Sequence, residues 1–373
     1  MAGPELRVGV IGTGRWAKMA HLPGWSRDPR VELVAVCDAD EAVAAEAAGM
    51  FGVAEHVTDH RAVIERDDID VIDVVTGDHG HFELTMAALE AGKHVLVEKP
   101  VAHDFRDTHR ARELATSKGL KTKVGFTFRY APAVRYMKEL IDEGFVGTPY
   151  IYNAYEQNSQ WIDPQTPLRQ VPSDVDQDRI RVSSLEGYGA PVIDLAHWFM
   201  GADLTNVIGV LRNFVPERMI RETGTMMRAN VDDGDIFIGE FEGDAICSIQ
   251  SSFVTVGNYP GIEVRVYGSE GALIARLIEE FGVMETLKGA KPDAVEFVDM
   301  PVPERLFPEG MDVHEPWPRL YYSNLTANFV DEILEGGDRN EGNFADAAWV
   351  QEVINAVEQS HHARGWVELP LPR

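Results

Sequence analysis

The chain has 373 residues, more than one hydrophobic core usually serves, so its length predicts two domains. A hydrophobic content of 45% and a charged content of 25% are typical of a globular protein, and the formal net charge of −27 argues against nucleic acid or an anionic membrane as a partner. The sequence has no signal peptide or membrane-length apolar run, and Cys37 and Cys247 each lie in apolar runs. We therefore expect a cytoplasmic protein with buried free thiols.

The first predicted strand, residues 6–11, ends in a glycine-rich turn with the pattern G-x-G-x-x-A: Gly12-Thr13-Gly14-Arg15-Trp16-Ala17. Gly12 permits a tight turn, Gly14 lets the backbone approach a pyrophosphate, and Ala17 lets the following helix pack closely on the strand. The start of that helix offers free N–H groups to phosphates. The pattern therefore predicts a dinucleotide site that uses the residues from Gly12 to Trp16.

The second predicted strand, residues 31–37, ends in Asp38. An acidic residue about 20 positions after the glycine turn is placed to accept hydrogen bonds from the ribose hydroxyls. Asp38 is followed by Ala39 and Asp40, with no arginine or lysine to receive a 2′-phosphate, which favours NAD(H) over NADP(H). Alternatively, Asp38 caps the helix predicted over residues 41–50.

Strands and helices continue to alternate after Asp38. The pattern predicts helices over 59–66, 80–91 and 105–117, and strands over 70–75, 95–97 and 121–126. Such alternation is typical of a parallel, doubly wound sheet with helices on both faces. We predict an α/β dinucleotide-binding domain over residues 1–127.

The predicted strand over 95–97 is followed at once by Glu98-Lys99-Pro100. Ligands of open α/β sheets bind in the crevice beyond the carboxyl ends of the strands. A lysine at the rim of an apolar site is partly desolvated, which makes its amine usable as a base. Lys99 is therefore the candidate catalytic base, and the alternative is an ordinary solvated lysine.

Two histidines, His79 and His81, follow the predicted strand over 70–75. Their spacing can indicate a metal site, but no third histidine or cysteine ligand is nearby in the sequence. We therefore expect no metal, and we expect loop and helix-start roles for these histidines.

Four segments resemble the Gfo/Idh/MocA oxidoreductases: residues 12–17 with His21, residues 76–81, residues 91–100 and residues 125–132. The third segment, AGKHVLVEKP, is the most specific. The resemblance implies a Rossmann domain in which Lys99 contacts both the nicotinamide and the substrate hydroxyl. It also implies cofactor contacts from Thr76, His81 and Glu98, a substrate contact from Arg129, and a C-terminal α+β domain over residues 128–373 with a large, mainly antiparallel open sheet.

The chain departs from this family at the block G-G-G-x-L-x-D-x-G-x-H-x-x-D. Leu185, Gly189 and Asp194 fit the block, but its catalytic aspartate and histidine fall on Gly187 and Pro191. Two residues that surround the reacting hydroxyl in the family are thus absent here.

Nearby polar residues are the candidates to replace the missing pair. Tyr188 and Glu186 flank the vacant position, and Asp194 lies two turns along the same helical face. A phenol beside a lysine can relay a proton. We predict catalytic roles for Tyr188 and Asp194 and a substrate contact for Glu186, with core packing as the alternative for Tyr188. His197 is expected to be structural, in a surface pair with Asp194.

A polar stretch over residues 156–184 predicts a long loop, and loops of that length are usually functional or disordered. Trp161 offers an aromatic platform for a sugar, and Gln157, Asn158 and Arg169 offer hydrogen bonds. The alternatives are an oligomer contact or a mobile flap.

The rest of the chain predicts strands from residue 207 onward, with helices over 321–334 and 346–362. Strands such as 236–241 and 245–254 alternate apolar and polar residues, which predicts an antiparallel sheet with one covered face. The other face is a candidate self-association surface, so we predict a homodimer or homotetramer.

Together these features predict an NAD-dependent oxidoreductase that moves a hydride between nicotinamide and a secondary hydroxyl or ketone of a sugar, glycoside or cyclitol. The expected partner is that small carbohydrate, because the negative charge suits neutral polyols better than phosphorylated ones. Two alternatives remain open: a redox-neutral lyase, hydrolase or epimerase that acts through a transient ketone, and a cofactor-binding protein without catalysis.

Overall fold

Apolar residues recur along short segments of the chain. Most of these segments form the strands of two large sheets. The computed structural model describes residues 5–167, 179–221, 223–256, 261–280, 283–336 and 341–373. The chain divides into two compact units, Met1–Pro132 with Pro303–Gln351, and Ala133–Val302 with Glu352–Arg373. The first unit therefore also includes Pro303–Gln351, which lies outside the predicted dinucleotide-binding domain of residues 1–127. The boundary between functional domains after residue 127 stays a prediction.

The first unit is built on a six-stranded parallel sheet in the order β3-β2-β1-β4-β5-β6. Its strands are β1 (Leu6–Ile11), β2 (Val31–Cys37), β3 (Glu55–Val57), β4 (Val71–Val74), β5 (His94–Val97) and β6 (Thr122–Val124). β4 and β6 are buried at every position, as expected for strands covered on both faces. The predicted doubly wound α/β fold is confirmed.

The helices are α1 (Leu22–Arg27), α2 (Glu41–Phe51), α3 (Arg61–Ile64), α4 (His81–Glu90), α5 (Phe105–Ser117), α6 (Pro132–Asp142), α7 (Ala190–Met200), α8 (Trp317–Leu334) and α9 (Phe344–Ala363). α1 to α5 and α8 belong to the first unit.

Asp40 caps α2, because its carboxylate accepts the N–H of Ala42 at 2.9 Å. The alternative that Asp38 caps this helix is therefore wrong. The glycine-rich turn leads into one π-helical turn, Ala17–His21, before α1 begins.

The second unit is built on a nine-stranded sheet in the order β16-β15-β14-β13-β7-β12-β11-β8-β17. The strands outside the first unit are β7 (Pro149–Gln157), β8 (Leu204–Arg212), β9 (Glu217–Ile220), β10 (Thr225–Arg228), β11 (Gly234–Phe241), β12 (Ile246–Ser252), β13 (Gly261–Gly268), β14 (Ala272–Glu280), β15 (Val283–Ala290), β16 (Val298–Asp299) and β17 (Val367–Glu368). β9 and β10 form a separate hairpin, and β7 and β12 are the one parallel pair among the described strands of the large sheet. The predicted mainly antiparallel sheet is confirmed.

One face of this sheet is covered and the other is open. Buried and exposed residues alternate along β11, and three isoleucines on the open face are about half exposed: Ile236, Ile238 and Ile246. Among the described residues, no helix is both long and apolar enough to cross a membrane. Cys37 and Cys247 are buried free thiols, as predicted.

Candidate active site

The carboxyl ends of four neighbouring strands of the first unit carry Gly12, Asp38, Thr76 and Lys99, which follow β1, β2, β4 and β5. The connections that follow β1 and β4 run in opposite directions across the sheet, and ligands of doubly wound folds bind at such a switch point. Gly12 has φ +92°, and a Cβ there would lie 2.6 Å from the backbone of Val75. This position requires glycine for both reasons.

The residues of the glycine-rich turn fit a dinucleotide. A Cβ on Gly14 would meet no atom within 4 Å, so the backbone there is open to the close approach of a phosphate. Asp38 is held in place, since its carboxylate accepts the backbone N–H of Thr13 at 2.9 Å and that of Asp40 at 3.1 Å. The Arg15 side chain is exposed.

His81 links the turn after β4 to the turn after β5. Its ring is buried, with Nδ1 2.8 Å from the carbonyl oxygen of Pro100 and Nε2 3.1 Å from that of Thr76. The sequence predicted a cofactor contact for His81, but both ring nitrogens face protein carbonyls. We therefore assign His81 to holding the two turns together.

Glu98 is the centre of a hydrogen-bond network inside the first unit. Its Oε1 accepts the indole N–H of Trp16 at 2.9 Å, lies 3.1 Å from Nε2 of His21, and accepts the hydroxyl of Tyr322. A Cβ on Gly125 would lie 2.4 Å from Oε1, so only glycine fits beneath this carboxylate. The side chains of Trp16 and Glu98, both predicted as cofactor contacts, are thus hydrogen-bonded to each other.

The network continues from His21 to Asp73. Nδ1 of His21 lies 2.9 Å from the Asp73 carboxylate, which also accepts the indole N–H of Trp25 at 2.7 Å. Burial opposes the charge on His21, but the charges and hydrogen bonds of Asp73 and Glu98 outweigh it and raise the pKa of His21 to about 9. Burial likewise opposes the charge on Glu98, but the hydrogen bond and charge of His21 and the charge of Lys99 lower the pKa of Glu98 to about 2.

Lys99 follows this carboxylate directly and is half-buried, on a turn whose Lys99–Pro100 peptide bond is cis. The burial agrees better with the predicted basic group at the rim of a site than with a fully solvated lysine. Arg129, predicted to contact the substrate, is 1% exposed and pairs with Asp346 at 2.9 Å. That burial favours a structural ion pair for Arg129 over the predicted substrate contact.

In the second unit, one π-helical turn, Leu185–Gly189, leads directly into α7, and Pro191 lies in the first turn of α7 as expected. Tyr188 on the π-helical turn donates its hydroxyl to Oε1 of Gln160 at 2.9 Å, and its ring meets that of Phe253 edge-on at 4.6 Å. Burial and the nearby charge of Glu156 raise the pKa of Tyr188 to about 12, so the phenol keeps its proton at neutral pH.

Asn158 and Trp161 lie close to the residues that Tyr188 contacts, Gln160 and Phe253. Asn158 is fully buried and accepts the backbone N–H of Gln160 at 2.8 Å, while its amide NH₂ meets no hydrogen-bond acceptor in the described ranges. The Trp161 ring lies 6.3 Å from that of Phe253. The sequence identified Asn158, Trp161 and Tyr188 but missed Gln160 and Phe253, because nothing in the local pattern marks either residue.

The other residues predicted for this region differ in their accessibility to solvent. Glu186 and Asp194 are buried, so Asp194 is not the surface residue that its expected pairing with His197 implied. His197 pairs with Asp203 at 3.2 Å, in agreement with a structural role. Arg169 lies outside the described residues.

Two buried carboxyls hold the start of the π-helical turn. Asp232 accepts the backbone N–H groups of Ser184 and Leu185, each at 3.1 Å, and Asp235 accepts the hydroxyl of Ser251. Burial raises the pKa of both groups, to about 7 for Asp235, and the charge of Asp235 raises that of Asp232 further. The pair therefore retains a proton at pH values where exposed carboxyls have lost theirs.

We expect this pair to make the second unit less stable as the pH rises. A carboxyl with a raised pKa binds more protons in the folded than in the unfolded state, so stability falls between about pH 4 and pH 7. Asp235→Asn should flatten this dependence in urea unfolding, whereas Glu242→Gln, at an exposed residue, should not. Equal pH dependence in D235N and the unmodified chain would contradict the assignment.

Comparisons with known proteins identify the family. Residues 6–126 match the oxidoreductase family with an NAD-binding Rossmann fold, and residues 134–274 match the GFO/IDH/MocA C-terminal domain. The chain is 27% identical to levoglucosan dehydrogenase of Pseudarthrobacter phenanthrenivorans, over 98% of each protein. It is also similar to two solved structures.

The first is an oxidoreductase domain protein from Kribbella flavida, with a TM-score of 0.86, 29% identity, and coverage of 99% of this chain and 100% of the other. The second is levoglucosan dehydrogenase in complex with NADH and levoglucosan, with a TM-score of 0.84, 26% identity, and coverage of 98% and 99%. The chain belongs to the Gfo/Idh/MocA family of NAD-binding oxidoreductases.

Proposed function

We propose that this enzyme is an NAD-dependent dehydrogenase of a secondary hydroxyl or ketone in a neutral sugar, glycoside or cyclitol. The observation that carries the proposal is Lys99, half-buried directly after β5, at the same end of the sheet as Gly12, Asp38 and Thr76. The similarity to levoglucosan dehydrogenase over nearly the whole chain supports the substrate class.

In this reaction, Lys99 accepts the proton of the substrate hydroxyl during oxidation and returns it during reduction. Bound NAD⁺ supplies the hydride acceptor. The backbone around Gly14 holds the pyrophosphate, and Asp38 accepts hydrogen bonds from the ribose hydroxyls. The C–H electron pair would leave as hydride to the nicotinamide ring, and the O–H proton would go to the neutral amine of Lys99.

We further propose that three residues within the second unit can bind a sugar. Asn158 offers a buried amide donor, Trp161 offers an aromatic face, and the protonated Tyr188 offers a hydroxyl that can donate or accept. Tyr188 directly follows Gly187, the position on which the family's aspartate falls.

The test is to incubate the purified chain with NAD⁺ and a panel of neutral polyols that includes levoglucosan and inositols, and to follow NADH absorbance. Accumulation of NADH in step with substrate supports the proposal. Products without NADH would favour the redox-neutral reaction instead. Binding of NAD⁺ without any product would favour a protein that has lost catalysis.

Replacing Asp38 with alanine is expected to weaken NAD⁺ binding by about 10- to 100-fold, because each charge-assisted hydrogen bond contributes about 1.5–3 kcal/mol. The preference for NAD⁺ over NADP⁺ should shrink at the same time, since the carboxylate no longer repels a 2′-phosphate. Tryptophan fluorescence measures both dissociation constants. Asp40→Ala is the control because it removes the cap of α2 but leaves Asp38. Equal affinity of the unmodified chain for both cofactors would contradict the assignment.

We also propose that the open face of the second unit's sheet joins copies of this chain. Ile238→Lys should lower the molar mass in light scattering, because a lysine buried in an apolar interface has no partner for its charge. Met50→Lys, on the exposed side of α2, is the matched control and should leave the mass unchanged. A monomeric mass for the unmodified chain would refute the proposal.

A further inference from the structure

Three possible metal ligands meet beyond the carboxyl ends of β4 and β5 in the first unit. Asp78 and His79 lie on the turn after β4, and His103 lies on the segment between β5 and α5. Nε2 of His79 and Nε2 of His103 are each 3.8 Å from an oxygen of the Asp78 carboxylate. One ligand atom from each residue lies within 4.8 Å of the other two.

The fold holds these residues near one another. The buried His81 ring ties the two turns together through the carbonyl oxygens of Thr76 and Pro100. The carbonyl oxygen of His103 accepts a hydrogen bond from the side chain of Gln351 at 2.8 Å. The ligand set therefore rests on anchored backbone, while its side chains keep the freedom to adjust.

We propose that Asp78, His79 and His103 bind a Zn²⁺ ion that exchanges with solvent. Two imidazole nitrogens and one carboxylate oxygen suit zinc, whereas Mg²⁺ and Ca²⁺ prefer oxygen ligands alone. Zinc bonds of about 2.0–2.2 Å place tetrahedral ligand atoms roughly 3.4 Å apart. The two 3.8 Å distances run to different oxygens of Asp78, and the three ligand atoms lie within 4.8 Å of one another, so the side chains need to close by up to about 1.4 Å. Three protein ligands leave a position open to water or to a ligand.

An ion can reach the partly exposed side chains of Asp78 and His79 from solvent, whereas Nε2 of His103 is itself buried. The side chains of His79, Asp78 and His103 are 54%, 42% and 30% exposed. Because the same two turns carry Thr76 and Lys99, we expect bound Zn²⁺ to lower turnover, and this consequence alone rests on the proposed function.

Calorimetric titration of the EDTA-treated chain with ZnCl₂ tests the site itself, without NAD⁺ or substrate. We expect one saturable site that MgCl₂ does not fill. His79→Ala and His103→Ala should each weaken Zn²⁺ binding by at least about tenfold, since losing even an outer-shell partner costs 10- to 100-fold. His60→Ala is the matched control, because His60 is a partly exposed histidine 4.0 Å from Asp59.

Binding that is unchanged in H79A and H103A, or equally weakened in H60A, would overturn the proposal. Co²⁺ gives a second readout, because its absorption bands report nitrogen and oxygen coordination and should disappear in H103A. Zn²⁺ should inhibit the unmodified enzyme more than H103A. Equal inhibition of the two would overturn the regulatory consequence, whereas failure of the proposed reaction would leave the titration result intact.

Discussion

Replacing Lys99 with alanine is expected to lower kcat by about 10²–10⁴-fold, the usual contribution of a general base. The dissociation constant of NAD⁺ should change little, because the proposed cofactor contacts are made mainly by the turn after β1 and by Asp38. Steady-state NADH formation measures turnover, and tryptophan fluorescence measures cofactor binding.

Two further variants separate loss of the base from loss of packing. Lys99→Met keeps the aliphatic stem without the amine and should be as inactive as K99A. Small primary amines added to K99A should restore part of the turnover, and they should not affect K99M, where the site is filled. Turnover of K99A equal to that of the unmodified enzyme would reject Lys99 as the base.

The sequence predicted the first unit closely because strand, helix and turn signals there agree with one another. α5 spans the predicted residues 105–117, and β2 ends at Cys37, just before Asp38. The two π-helical turns were not predicted, because hydrophobic periodicity does not distinguish one widened turn from a regular helix.

The candidate site was predicted where its residues are close in sequence and missed where the fold brings distant residues together. Tyr322 donates to Glu98 from 224 positions away. His103 completes the proposed zinc ligands from a different turn, which a search for neighbouring ligands in the sequence does not find. For that reason the sequence predicts no metal at His79 and His81.

Replacing His21 with glutamine is expected to destabilise the first unit by about 3–5 kcal/mol, the usual result of removing one member of a buried charge network. The change leaves the Asp73 and Glu98 carboxylates close together without the cation between them. Trp16 and Trp25 donate to these two carboxylates, so tryptophan fluorescence is suited to following the unfolding of this region.

The pH dependence distinguishes this charge from a packing effect. Because the pKa of His21 is about 9 in the folded chain and 6.5 in a model peptide, its contribution is fully present below about pH 6.5 and is lost as the pH rises through 9. The shift corresponds to about 3 kcal/mol at 1.36 kcal/mol per pKa unit. The unmodified chain should therefore lose stability between pH 7 and pH 9.5.

His21→Gln should remove most of that alkaline loss, whereas His56→Gln, at an exposed position of β3, should leave it unchanged. A neutral His21 would give a different result, because H21Q would then be destabilised equally at every pH. An unchanged alkaline loss in H21Q would therefore show that His21 is not the cation between Asp73 and Glu98.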